Sequence, residues 1–408
     1  MKVLFANTRD IIGGAAIAAY RLHKGMQENG YDSSMLVDIK SSTDDSVFST
    51  RTKLDQIKQK IRSKIDYLPQ RLYKTNDGLG RSLSFVPGPN LDKINRFNAD
   101  IVHLHWINNG FLSVEQLAKI NKPIVWTLHD MWAFCGAEHY TSGNDHYKNG
   151  YKNSDNVLDK WVWRRKENAY SKIENLTVVT PSNWLAECVK ESFLLGDRRV
   201  EVIGNGIDTN FFRPKNIKEL RLKYDIPMDK KIILFSGYKG VEDPRKGFNH
   251  LLNALKLKEK TNNINDIELV IIGSNKSDEL EALKIKSHFM GMINDSEVMR
   301  DLYALADLFI LPSKEDNLPN TVLESMSCGT PVVAFKIGGV PDMVDHLKNG
   351  YLAEPFDDEV LSEGINWCLD SDGKLEKLSN NAREKIISDF EVTKQSEKYA
   401  SLYKEILN

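Results

Sequence analysis

A chain of 408 residues exceeds the size at which one hydrophobic core keeps growing, so two domains are expected. The balance of 41% hydrophobic and 27% charged residues is ordinary for an α/β protein. A formal net charge of −2 gives no electrostatic reason to expect a nucleic-acid partner. The four cysteines, Cys135, Cys188, Cys328 and Cys368, show no paired spacing, which argues against a zinc site or disulfide framework and suits a reducing cytosol. The apolar run at residues 1–6 is too short for a signal peptide and no stretch approaches 18 apolar residues, so a cytoplasmic protein is expected.

In chain order, residues 2–6 read as a first strand. Gly13 and Gly14 lead from it into a helix running from Ala15 to about Glu28, apolar at helical spacing. A glycine pair at such a turn lets backbone approach a ligand and places amides at a helix start, although a plain tight turn has the same signature. From Ser41 to about Asn90 the α/β alternation lapses. Within that insertion, residues 51–74 carry Arg51, Lys53, Lys58, Lys60, Arg62, Lys64, Arg71 and Lys74 against Asp55 and Asp66, with Leu54, Ile57, Ile61, Ile65 and Leu68 at helical spacing. Such a basic amphipathic helix either lies on an anionic membrane surface or covers the amino-terminal domain with its charged face in water.

Residues 100–106 form the next strand and 123–128 another, which ends in His129 and Asp130. A histidine at the carboxyl end of a parallel strand stands at the ligand edge of the sheet, so His129 is a candidate; a structural hydrogen bond there is the alternative. His103 and His105 alternate along their strand like a metal pair, but no third ligand has suitable spacing and no metal is expected. The loop Cys135–Asn156 is polar and rich in Gly, Asn, His and Tyr, which suits recognition better than a core. Two more alternations follow, at 176–191 and 200–203.

The second half restarts with a strand at 232–235. In the loop that follows, Arg245 and Lys246 place positive charge at a helix entry. Residues 268–273 are a further strand and turn, and 289–293 contain Met290 and Met292. Next comes a strand at 308–311, a loop bounded by Pro312 and Pro319, a helix stopped by Gly329 and Pro331, and a strand at 331–335. The loop, with Asp316, Asn317, Leu318, Pro319 and Asn320, lies at the carboxyl ends of parallel strands, where helix-start amides make a site for a phosphate. Asp316 and Glu324 flank it. A carboxylate is repelled by phosphate but accepts hydrogen bonds from hydroxyls, and phosphate plus hydroxyls suggests a nucleotide sugar. Gly338 and Gly339 add a backbone-lined turn, Asp370-Ser371-Asp372 reads as a turn, and the chain is helical from about Asp372.

The stretch Pro312-Ser313 and Glu324-Ser325-Met326-Ser327-Cys328-Gly329-Thr330-Pro331-Val332-Val333 resembles the signature of retaining glycosyltransferases of family 4. The segment His129-Asp130-Met131-Trp132-Ala133-Phe134 resembles a subgroup that builds bacterial surface polysaccharides. The resemblance implies the GT-B fold, α/β, with two Rossmann-like doubly wound domains facing a central cleft: residues 1–205 on the acceptor side with the basic insertion at about 41–90, 206–390 binding the nucleotide sugar, and 391–408 a helix returning to the first domain. It implies a catalytic set of His129, Asp316, Lys246 and Arg245. Donor contacts would come from Gly13, Gly14, Asp316, Asn317, Leu318, Pro319, Asn320, Glu324, Met290 and Met292. Asp316 stands where the family has a glutamate, and Tyr238 where it has an arginine, with Arg245 the candidate substitute.

The implied reaction moves a sugar from a nucleotide diphosphate, without a metal, to a hydroxyl of a glycan or lipid-linked acceptor. Configuration is retained, and the departing phosphate takes the acceptor's proton. Residues 51–74 would contact the inner face of the membrane. Alternatives are a GT-B-fold epimerase or hydrolase, or a nucleotide-sugar-binding scaffold without activity.

Overall fold

The computed structural model describes residues 1–49, 53–72, 80–237, 241, 243–260, 264–283 and 285–408. Tyr238 and the ends of the basic stretch, Arg51 and Lys74, lie outside them. The chain divides into two compact units, Met1–Gly206 with Val392–Asn408, and Ile207–Glu391.

In the first unit the strands are β1 (Lys2–Arg9), β2 (Asp32–Ile39), β3 (Val47–Ser49), β4 (Ile101–Leu104), β5 (Ile124–Thr127), β6 (Leu176–Thr180) and β7 (Arg199–Val202), in the order β3-β2-β1-β4-β5-β6-β7. In the second they are β8 (Lys231–Ser236), β9 (Ile267–Ile272), β10 (Ser287–Phe289), β11 (Leu308–Leu311), β12 (Val332–Phe335) and β13 (Gly350–Ala353), in the order β10-β9-β8-β11-β12-β13. Pairings such as β1 with β4 and β8 with β11 are parallel. Chain order reverses at β1/β4 and at β8/β11, the switch points beside which open α/β sheets bind ligands.

Both sheets are covered on both faces, which explains their continuous apolar strands. Along β8, Ile232 and Leu234 join one core while Ile233 and Phe235 join the other. β1 divides likewise, Leu4 and Ala6 against Val3 and Phe5. The terminal helix Val392–Leu407 packs on the helix Gly14–Glu28, so closely at Gly25 that a Cβ there would lie 2.8 Å from Val392 Cγ2. Its Tyr403 hydroxyl is 2.6 Å from His103 Nδ1.

Four strands, β2, β3, β10 and β13, were not read from the sequence; β10 and β13 are short strands at the two edges of the second sheet. β2 begins with Asp32-Ser33-Ser34, polar residues that mask its apolar end, and β3 is a three-residue edge strand. The basic stretch forms the helix Lys53–Leu72 with Pro69 inside it. Its apolar stripe does not cover the domain: Ile57, Ile61, Ile65 and Leu68 are 54%, 50%, 44% and 50% exposed, and the buried contact is Asp66 on the opposite side. The Asp66 carboxylate accepts from the main-chain amides of Ser84 (3.1 Å), Phe85 (2.8 Å) and Val86 (3.3 Å).

Candidate active site

In the second unit, the loop after β11 leads into the helix Asn320–Ser327, whose first residue follows Pro319 with no side-chain cap among the described residues. The short turn Pro244–Lys246, capped by Asp243, packs against this loop: Lys314 N donates to Arg245 O at 2.8 Å. Gly247, at φ +69°, makes the packing possible, because a Cβ there would lie 1.8 Å from Pro312 O. Across the loop, Gly338 at φ +50° plays the same part, its missing Cβ 1.8 Å from Asp316 O. The phosphate and hydroxyl candidates are thereby brought together. Lys246 Nζ is 2.8 Å from Asp316 Oδ2, and Arg245 Nη1 reaches Glu315 O at 3.4 Å.

Glu324 is buried one turn into the helix. Burial, and then its charge, push the Tyr303 phenol well up. Leu318 turns its side chain into the core, so only its main chain is available to a ligand, while Asn317 is buried in the loop. Ser313 Oγ, in the same loop, is buried with no hydrogen-bond partner among the described residues. Met290 and the exposed Met292 flank Gly291, whose carbonyl accepts from Gly273 N at 2.8 Å.

In the first unit, the turn after β1 is held by Asp10, whose carboxylate accepts from the amides of Ile11, Ser41 and Ser42. Gly13 follows at φ +99° with open space around it, and Gly14 begins the helix. His129 stands just past β5, its Nε2 2.9 Å from His105 Nδ1. His105, His129 and Asp130 line one pocket with Trp106. Burial pushes His129 down to about 4 against the opposing pull of Asp130, and His103 and His105 are also pushed well down by burial. All three rings are neutral at physiological pH. Among the described residues no three His, Cys, Asp or Glu side chains are grouped to hold a metal ion.

The model of the family "Glycosyltransferase Family 4" matches residues 12–211, and that of "Glycosyl transferases group 1" matches 216–385. Between them they account for both units. The chain belongs to glycosyltransferase family 4.

An uncharacterized glycosyltransferase of Methanocaldococcus jannaschii is 30% identical over 247 residues, 57% of this chain and 61% of that protein. The UDP-Gal:α-D-GlcNAc-diphosphoundecaprenol α-1,3-galactosyltransferase of Escherichia coli is 25% identical over 312 residues, 74% of this chain and 75% of its own. The chain spans 61%, 55% and 45% of three curated relatives it matches. Among solved structures, Anabaena HepE in complex with UDP-glucose superposes with a TM-score of 0.67 at 18% identity, covering 99% of this chain and 100% of HepE. The fold is therefore GT-B.

Within this family member the structure gathers Lys246, Arg245, Asp316 and Glu324 at one end of the second sheet, and Gly13, Gly14 and His129 at the carboxyl edge of the first. It also shows residues that sequence reading passed over. Asp130 turns to His139, on the loop first read only as a recognition segment, with Oδ2 2.7 Å from Nδ1. The one signal was His139 itself, a titratable residue nine positions after Asp130, and spacing across an irregular loop predicts no contact.

Proposed function

We propose that this family 4 protein is a retaining glycosyltransferase that moves a sugar from a UDP-sugar to a hydroxyl of a glycan or lipid-linked acceptor, in bacterial surface-polysaccharide synthesis. The observation that carries this is the ion pair of Lys246 with Asp316 at 2.8 Å, set beside the uncapped start of the helix that holds Glu324. An ammonium has three donors, so a lysine that gives one to Asp316 keeps two for diphosphate oxygens. Charge grows on the diphosphate as the sugar leaves, and Lys246, Arg245 and the helix-start amides stabilise it where it develops. Asp316 accepts from sugar hydroxyls, Glu324 from the ribose, and His129 is a neutral contact for the sugar. The departing phosphate takes the acceptor's proton. Gly13 and Gly14 bring backbone to the donor, the loop Asn317–Asn320 supplies its cradle, and Met290 and Met292 border the base. UDP is the nucleotide because the Escherichia coli relative and HepE are described with UDP-sugars.

The helix Lys53–Leu72 supports a lipid-linked acceptor and work at the inner face of the membrane. Its exposed isoleucines lie beside exposed Lys58, Lys60 and Lys64, the combination that binds anionic lipid. No described helix is long and apolar enough to cross a membrane.

A thermal-shift panel of UDP-, GDP-, ADP- and CDP-sugars tests the donor. The UDP series should raise the melting temperature without added metal. A shift confined to another nucleotide would move the donor class, and no shift at all would remove the reading.

A further inference from the structure

The loop that carries His139 is fixed more firmly than a connection requires. Lys166, fully buried, donates to the carbonyls of Trp132, Cys135 (3.1 Å) and Gly136 (2.6 Å). Buried Arg81 binds Asp159 through two bonds, 3.0 and 3.1 Å long. The Tyr151 hydroxyl donates to Glu138, and Ser82 N donates to Ala137 O at 2.8 Å. These bonds hold residues 80–82 against 137–139, where His139 N also donates to Gly80 O at 3.2 Å, and a group on a loop so held is pre-oriented.

That group is an imidazole whose free side is defined. His139 Nδ1 is 2.7 Å from Asp130 Oδ2, and Asp130 Oδ1 accepts from Trp132 N at 2.9 Å. Burial pushes the Asp130 carboxyl up, but the charge and hydrogen bond of His139 outweigh it and hold it below its usual range. An ionised carboxylate only accepts, so Nδ1 carries a proton toward Asp130 and Nε2 is the ring nitrogen left for a further partner. A hydroxyl already sits there: Ser82 Oγ is 2.9 Å from Nε2. The Trp106 ring stacks on the imidazole at 5.8 Å and 24°, and neither side chain is fully buried, His139 remaining 17% exposed. A ring nitrogen already paired with a hydroxyl suits another hydroxyl, and an indole face beside it favours the C–H side of a sugar ring.

We propose that His139, Asp130 and Trp106 form a saccharide subsite in which an acceptor hydroxyl takes the place of the Ser82 hydroxyl on His139 Nε2. Exchange of one hydroxyl for another conserves the hydrogen bond. His139 is a binding contact to a hydroxyl neighbouring the one that attacks, and no proton is transferred there. The word acceptor rests on the glycosyltransferase reading; saccharide binding at His139 does not.

The test is nuclear magnetic resonance of the whole protein labelled with ¹⁵N-histidine, titrated with the methyl glycosides of glucose, galactose, mannose and N-acetylglucosamine. The His139 signal is assigned from its loss in His139→Gln. At least one glycoside should shift Nε2 saturably, and Asp130→Asn and Trp106→Ala should each weaken that binding about tenfold, the equivalent of one lost hydrogen bond or packing contact. Ser82→Ala, which empties the position, should bind at least as tightly as the parent. A His139 signal unmoved by all four glycosides, affinity unchanged in both Asp130→Asn and Trp106→Ala, or binding abolished in Ser82→Ala overturns the subsite. Donor binding, read separately by the UDP thermal shift, keeps the two readings apart. A glycoside shift without UDP binding leaves the subsite and removes the donor reading, and the converse does the reverse.

Discussion

The two sheets follow the same order, third strand, second, first, fourth and onward, yet their carboxyl edges are built from different materials. At the second sheet the contacts are main chain and charge. Gly247 and Gly338 let loops approach to where a Cβ would be 1.8 Å from a carbonyl, and Lys246 meets Asp316. At the first sheet they are rings: His103, His105 and His129 in a row, with Trp106 against His139. One edge suits a diphosphate, which asks for cations and amides. The other suits a partner recognised by neutral hydrogen bonds and aromatic faces.

The largest expected effect tests the charged edge. Lys246→Ala removes a cation from the developing diphosphate charge and strands Asp316, so kcat/KM for the UDP-sugar should fall on the order of 10³-fold, with Lys246→Arg retaining part of it. A loss under tenfold in steady-state transfer assays would mean that this lysine serves Asp316 and not the phosphates. The glycines sharpen the same contrast. Gly338→Ala forces a Cβ onto Asp316 O and should cost about 3 kcal/mol in urea unfolding. Gly13→Ala, at φ +99° and ψ +153° but with open space around it, carries backbone strain alone and should cost less, about 2 kcal/mol. Equal costs would show that strain, not close approach, decides both.

This contrast also explains what was legible from the chain. The second unit's edge is written in residues whose positions relative to strand and helix are local: Pro312, Asp316, Pro319, Glu324 and Gly329 fall within 18 consecutive residues, and strand–loop–helix–strand followed from their order. Even there the Lys246–Asp316 pair, separated by 70 residues, needed the fold. The first unit's edge draws Ser82, Trp106, Asp130 and His139 from separate segments, which no periodicity connects. The stripe at Ile57, Ile61 and Ile65 was visible as amphipathic, but which side meets the domain depended on Asp66 and the amides of 84–86.

The buried histidines of the first unit, His23 in the helix Gly14–Glu28 among them, predict a pH dependence. A histidine ordinarily titrates at 6.5, whereas burial pushes His23 and His129 down to about 4. Between those values the unfolded chain binds protons that the folded unit does not, so stability is complete above pH 6.5 and falls as the pH drops toward 4. The loss should be on the order of 2 kcal/mol for each of these two histidines by pH 5. Denaturant unfolding followed by tryptophan fluorescence between pH 7 and 5 measures it, and His23→Gln should flatten its share of the slope. A slope unchanged in that variant would place the protonation elsewhere.

The smallest effect on stability should come from the helix Lys53–Leu72, where the largest effect on location is expected. Ile61 and Ile65 are half exposed on the side opposite the Asp66 contact, so replacing them removes little packing. Ile61→Asp with Ile65→Asp should change unfolding free energy by no more than about 0.5 kcal/mol each. The same pair places two carboxylates where the helix would enter the headgroup layer, removing apolar area and adding repulsion from anionic lipid. Co-sedimentation with phosphatidylglycerol vesicles should therefore weaken about tenfold or more, and binding by the parent chain should fall with added salt because Lys58, Lys60 and Lys64 each contribute about 1 kcal/mol near such a surface. If the variant sediments like the parent, the stripe is not the contact. If the parent binds neutral phosphatidylcholine equally well, the lysines are not, and the helix would recognise an apolar surface of another kind.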